Sequence, residues 1–156
     1  MTISFDLDDT LISGTKRFPT QQQNLFQRVL GIEKIRQGTV PLMKRLKAEG
    51  HQVFIYTTSF HSASYIRWMF LTYGIWLDGI INQRRHDRTL AAEANNFSKY
   101  PPAFGIDLHV DDSKGVEMEG QRFGFLTLVV SEEEKQWQER VIMHVNQNAA
   151  LLSQDL

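Results

Sequence analysis

Four short apolar runs recur along the chain, Ile3–Leu7, Val53–Tyr56, Ile106–Val110 and Phe125–Val130, each of strand length and rich in β-branched or aromatic residues. The first, second and fourth are nearly continuous in apolar character, as strands covered on both faces are. A weaker run lies at Leu77–Ile81. Helical periodicity fills the intervals. Over Val40–Ala48, Leu42, Met43 and Leu46 share one side, Lys44, Arg45 and Lys47 fall largely off it, and Gly50 supplies a left-handed stop. His61–Tyr73 repeats Tyr65, Ile66, Met69, Phe70 and Tyr73 and ends at Gly74. Ser131-Glu132-Glu133-Glu134 reads as a Ser-x-x-Glu capping box, opening a final helix over 131–154 packed on the core through Trp137, Val141, Val145 and Ala149. Strand alternating with helix leaves few topologies, and the expectation is an α/β fold: a three-layer, Rossmann-like parallel sheet flanked by helices.

Composition narrows the function classes. With 156 residues, 42% hydrophobic and 22% charged, the chain reads as a single globular domain, 1–156, able to bury a sizeable core. A net charge of −1 gives no global pull toward nucleic acid or an anionic membrane. No apolar run approaches the roughly 20 residues of a membrane-spanning helix. A signal peptide is not expected, because charged "FDLDDT" lies where its apolar core belongs. The chain has no cysteine, so disulfides, thiolate metal sites and a cysteine nucleophile are excluded, and a cytoplasmic location is expected. Thr15–Gln23 and Gln83–Arg88 read as polar loops, the latter carrying a solvated basic cluster of Arg84, Arg85, His86 and Arg88. Trp68, Trp76 and Trp137 read as packing residues.

In parallel α/β sheets, ligands sit beyond the carboxyl ends of the strands. After the first run come Asp6, Asp8, Asp9 and Thr10; after the second, Thr57, Thr58 and Ser59; after the third, Asp111, Asp112 and Ser113. Lys99 precedes that third run, with Lys114 as a rival lysine and Glu117 as a more distant carboxylate. Crowded carboxylates repel one another unless a hard divalent cation sits among them, and Mg²⁺ takes one or two carboxylates plus water and phosphate oxygen. Such a group suits phosphoryl transfer. A metal-bound Asp can attack phosphorus, while a second carboxyl two residues on protonates the leaving oxygen and then activates water. Asp9 reads as a turn residue.

These stretches resemble the motifs of the haloacid dehalogenase-like hydrolase superfamily. "FDLDDTL" is similar to its first motif, Asp-x-Asp-x-Thr after an apolar strand, and "VFIYTTS" to its second; Lys99 fits the third and "LHVDDS" the fourth, all in the family's order. The resemblance implies Asp6 as nucleophile and Mg²⁺ ligand, and Asp8 as general acid/base that also binds the metal through its main-chain carbonyl. It implies Thr57 and Thr58 at the phosphate, Lys99 at nucleophile and phosphate, and Asp112, with Asp111 beside it, at the metal. Asp8 favours phosphate ester hydrolysis over carbon–halogen cleavage. Thr10–Val53 leaves room for a loop and two helices, and Thr57–Lys99 for a helix, a strand and another helix, so no large cap domain is expected. A capless or small-cap phosphatase follows, its substrate a phosphorylated small molecule or a macromolecular phosphate. Two alternatives stay open: a receiver-like domain that accepts phosphate, and a non-catalytic phosphate- or partner-binding protein. The sequence leaves the oligomeric state open.

Overall fold

A computed structural model describes residues 1–154, so the last two positions of the expected 1–156 domain lie outside the described residues. Strands β1 (Thr2–Phe5), β2 (Gln52–Tyr56), β3 (Gly79–Ile81), β4 (Leu108–Asp111) and β5 (Leu126–Val129) form one all-parallel sheet in the order β3-β2-β1-β4-β5. Helices α1 (Leu25–Val29) and α2 (Thr39–Ala48) lie between β1 and β2, and α3 (Ala63–Thr72) between β2 and β3. Helix α4 (Gln83–Leu90) and two 3-10 turns precede β4; α5 (Lys114–Phe123) joins β4 to β5, and α6 (Trp137–Gln154) follows. The order is that of the first five strands of a Rossmann sheet, 3-2-1-4-5. Flavodoxin-like and receiver sheets run 2-1-3-4-5, so the receiver alternative does not fit this topology.

The period-2 alternation of the strands divides the interior in two. Ile3 and Phe5, Val53 and Ile55, and Leu108 and Val110 turn to the larger apolar core, which they share with Leu42, Met43 and Leu46 of α2, Ile66, Met69 and Phe70 of α3, and Trp137, Val141 and Val145 of α6. The residues between them turn to the other face. There Tyr56, Ile81 and Ile106 gather with Phe54 and Phe104, while Ser4 and His109 are buried and polar. Asp6 continues the parity of Ser4, and Asp111 that of His109. The direction in which strands are added to the sheet reverses between β1 and β4, which pair in parallel through Ile3↔Leu108, Ser4↔His109 and Phe5↔Val110. The acids therefore emerge at the topological switch point, where open α/β sheets hold their ligands.

Several sequence expectations shift. Gln83–Arg88 is helical within α4: Asn82 caps it by accepting the Arg85 N–H at 3.1 Å, and the helix buries His86. The final helix starts at Trp137 and not at Ser131. The carbonyls of Ser131 and Glu134 are taken by the Arg36 guanidinium (2.6 and 3.2 Å), which holds this segment in turns, and the Ser131 hydroxyl accepts only the Glu133 N–H, at 3.3 Å. Trp137 is buried as expected, but Trp68 and Trp76 are exposed.

Candidate active site

Asp6 follows β1 directly and is buried, its N–H bonded to the Val110 carbonyl at 2.8 Å. Lys99 reaches it from the segment before the Pro101–Phe104 turn. The Glu119 carboxylate of α5 accepts the N–H groups of Ser98 and Lys99, and the Tyr56 hydroxyl accepts that of Tyr100. This clamp delivers the Lys99 ammonium, itself buried, to Asp6 Oδ1 at 2.5 Å and Asp111 Oδ2 at 2.6 Å. Lys114 is exposed at the start of α5, so the structure brings Lys99 and not its rival to the acids.

Burial raises the Asp6 carboxyl to about 6; the Lys99 charge pulls it down and the Asp111 charge adds to the rise. Burial would also lower the Lys99 ammonium, but its two carboxylate partners outweigh that and raise it. Asp111 is held well below the carboxylate range: burial opposes this, and the hydrogen bond from His109 and the Lys99 charge prevail. His109 is lowered to about 4 by burial and by Lys99, so its imidazole is neutral at neutral pH. Its Nε2–H then donates to Asp111 Oδ2 at 2.9 Å, and its Nδ1 accepts the Ser4 hydroxyl at 2.7 Å. A continuous buried line runs Ser4–His109–Asp111–Lys99–Asp6. Ser4 and His109 follow no motif in the sequence. Their signal was parity: each is a polar residue two positions before a site acid in an apolar strand.

The other predicted residues gather around this line. Asp8 Oδ2 accepts the Thr57 hydroxyl at 3.3 Å, and Thr57 is buried at the end of β2, where its Oγ also accepts the Ser59 N–H. Thr58 is exposed one residue beyond. Glu117 is half-buried in the first turn of α5. Asp9 sits at φ 61° and folds the following loop onto itself, accepting the N–H groups of Gly14 and Lys16 and the Thr15 hydroxyl. Slight burial works against these bonds, yet together they hold its carboxyl below the ordinary value. The loop so formed carries Lys16, which its place just after the first motif marks equally as an entrance gate or a surface-loop residue, to Asp112 Oδ2 at 2.6 Å.

Asp6, Asp111 and Asp112 offer carboxylate oxygens within 4.8 Å of one another. The Thr10 hydroxyl lies 3.1 Å from Asp6 Oδ2 and 3.2 Å from Asp112 Oδ1, and its single proton can satisfy only one of them. Four carboxylates (Asp6, Asp8, Asp111, Asp112) outnumber the cations near them, the Lys16 and Lys99 ammonium groups and the Arg36 guanidinium whose charge also acts on Asp112, leaving a formal excess of one negative charge. An all-oxygen donor set carrying that excess fits a hard divalent cation. Asp6 and Asp112 are the pair with acceptor capacity to spare; Asp111 is committed to Lys99, His109 and the Ser113 N–H.

No family model and no curated protein matches the chain. Among solved structures it is similar to a predicted HAD-like family hydrolase from Porphyromonas gingivalis, with a TM-score of 0.52 and 13% identity over 92% of this chain and 97% of that one. The fold is thus haloacid dehalogenase-like, as the four motifs implied, and Asp6, Lys99, Asp111 and Asp112 meet at its switch point while Thr58 stays exposed beyond β2.

Proposed function

We propose that the chain is a Mg²⁺-dependent phosphatase that hydrolyses a phosphomonoester through an aspartyl-phosphate on Asp6. The observation that carries this is the buried Lys99 ammonium between Asp6 and Asp111, with Asp8 alongside on Thr57. An ammonium there orients Asp6 and neutralises charge on an incoming phosphoryl group. The Thr57 hydroxyl fixes Asp8, two residues from the nucleophile, where it gives a proton to the leaving oxygen as Asp6 attacks phosphorus. Asp8 then takes a proton from the water that attacks phosphorus, which releases inorganic phosphate, frees the Asp6 carboxylate and returns Asp8 to its protonated form. Asp6, Asp112, Asp111 and the Asp8 carbonyl are the groups that would hold the cation, and bound there it supplies positive charge to the phosphoryl oxygens. Thr57 and exposed Thr58, at the same strand end, would bind the phosphate, the Thr57 hydroxyl proton being free to turn to it once Asp8 is protonated. The substrate is a phosphorylated compound, small or macromolecular.

The test is a phosphatase screen with Mg²⁺ over small phosphomonoesters, phosphopeptides and 3′-phosphorylated DNA. Asp6→Asn should lower turnover by at least about a thousandfold, and Asp8→Asn by about 10²–10⁴-fold. Full activity in Asp6→Asn on a substrate the parent hydrolyses would sink the reading.

A further inference from the structure

Helix α1 is inside out. Its buried residue is polar: the Gln27 amide donates to the Thr72 carbonyl (3.0 Å) and hydroxyl (3.3 Å) at the end of α3. Its apolar residues Leu25, Phe26 and Val29, and Leu30 just after it, face solvent. The helix is nonetheless firmly built, with Asn24 and Gln27 forming a reciprocal capping box. The Phe26 ring meets Trp68 of α3 edge-on at 6.4 Å between centroids, and Leu71 lies near one turn further along α3. The two helices thus present one apolar face. These six side chains are 39% to 75% exposed.

We infer that this face is the interface of a two-fold homodimer, α1 and α3 of one copy packing on those of a second. Six residues so exposed offer on the order of 600 Å² of accessible surface, most of it apolar, at the upper end of the about 300–600 Å² of the largest patch on a typical monomer. With a polar rim, that approaches the roughly 800 Å² per partner of a standard interface. An isologous contact pairs the patch with itself, so apolar meets apolar without a second matched surface. The charges within this segment, Arg28, Glu33 and Lys34, include both signs. Glu33 can meet Arg28 or Lys34 of the second copy across a two-fold axis, and a net excess of one positive charge falls short of the cluster of basic residues that an anionic bilayer selects. The face lies along α1 and the later part of α3, whereas Asp8, Thr57 and Ser59 meet before α3 begins.

The test is sedimentation velocity of the full chain from about 1 to about 100 µM. The parent should sediment as a dimer over the upper part of this range; Val29→Glu and Leu71→Glu should each sediment as monomers, with far-UV circular dichroism unchanged. Amide exchange on the parent gives a readout that needs no variant: protection of α1 and the later α3 should rise with concentration while that of β1 stays constant. A monomeric parent at the highest concentration, a dimer that survives both substitutions, or α1 exchange independent of concentration would each overturn the inference. So would a monomeric parent that binds anionic vesicles.

Discussion

Burial pushes Asp6 up to about 6, and burial with the Lys99 charge pushes His109 down to about 4, so the two groups bias folding in opposite directions. Between pH 3.8 and 6 the folded chain keeps a proton on Asp6 that the unfolded chain has released. That contribution favours folding in acid and is lost as pH rises through 6. Below pH 6.5 the unfolded chain protonates His109 while the folded chain does not. That stability is full above 6.5 and is lost as pH falls toward 4. In the parent the two slopes largely cancel between pH 4 and 6. Asp6→Asn removes one of them, so its urea-unfolding free energy should climb from pH 4 to 6.5, by up to a few kcal/mol and more steeply than the parent's. A variant profile as flat as the parent's would contradict this. Lys16 carries a second expectation. Its ammonium occupies Asp112 Oδ2 at 2.6 Å, so it competes with a cation for that oxygen. Because Lys16 is partly exposed the competition is screened, and Lys16→Gln should tighten Mg²⁺ binding about three- to tenfold by titration calorimetry. Weaker binding would mean that Lys16 assists the cation. The acids were readable because they stand at strand ends, where charge needs a reason. Ser4 and His109 were not, because a polar residue inside an apolar strand reads as an isolated exception until register places the two side by side. Lys16 depends on a loop that Asp9 folds through its carboxylate, a long-range consequence no local pattern carries.

Helix α5 holds Glu119, which clamps the backbone of Lys99, so its seating against β5 matters to the site. Gly120 permits that seating. A β-carbon there would lie 2.7 Å from the Phe125 carbonyl oxygen and 2.8 Å from the Thr127 hydroxyl, and the carbonyl cannot swing away as a side chain can. Alanine for glycine inside a helix gains about 1 kcal/mol of propensity, but overpacking against backbone costs about 1–3 kcal/mol. Gly120→Ala should therefore be net destabilising, by about 1–2 kcal/mol in urea unfolding; a more stable variant would show that α5 shifts freely. The same helix shows why some elements were hidden. Helices α2 and α3 carry apolar stripes that a 3.6-residue period detects. In contrast, α5 buries only Val116 and Gly120, and α4 buries only His86, so neither has such a stripe. Caps and neighbours hold these two instead: Asn82 at the start of α4, and Ser113, which accepts the Gly115 N–H at 3.2 Å, at the start of α5. The false start at Ser131 is the converse case. A sound local capping signal lost to Arg36, which lies between the Phe18 and Trp137 rings and takes the carbonyls a helix would have used.

At the scale of the molecule, the site joins segments that only the folded sheet brings together: Asp6 after β1, Asp112 after β4, Thr57 after β2 and Lys99 from the approach to β4. An unfolded chain offers a divalent cation no such grouping, so a cation that binds here binds the native state and stabilises it by mass action. At a hundredfold excess over its dissociation constant the gain is about 2.7 kcal/mol, which for a domain of this size is a rise in Tm of roughly 5–10 °C. The gain should depend on pH in a definite sense. Asp6, raised to about 6, holds its proton at pH 5 and must surrender it to a cation, whereas at pH 7.5 it is already ionised. The Mg²⁺-induced shift in Tm, read by differential scanning calorimetry against a chelator-treated control, should therefore be clearly larger at pH 7.5 than at pH 5. Asp112→Asn should reduce it at both pH values by removing a carboxylate charge from the cation's neighbourhood. It should also free Lys16 from its ion pair, so the variant's chelator-treated Tm should change little while its response to Mg²⁺ falls. If neither Mg²⁺ nor Mn²⁺ moves the parent's Tm at pH 7.5, the excess negative charge at this sheet edge is balanced without a cation, and metal-dependent phosphoryl transfer here would have to be abandoned.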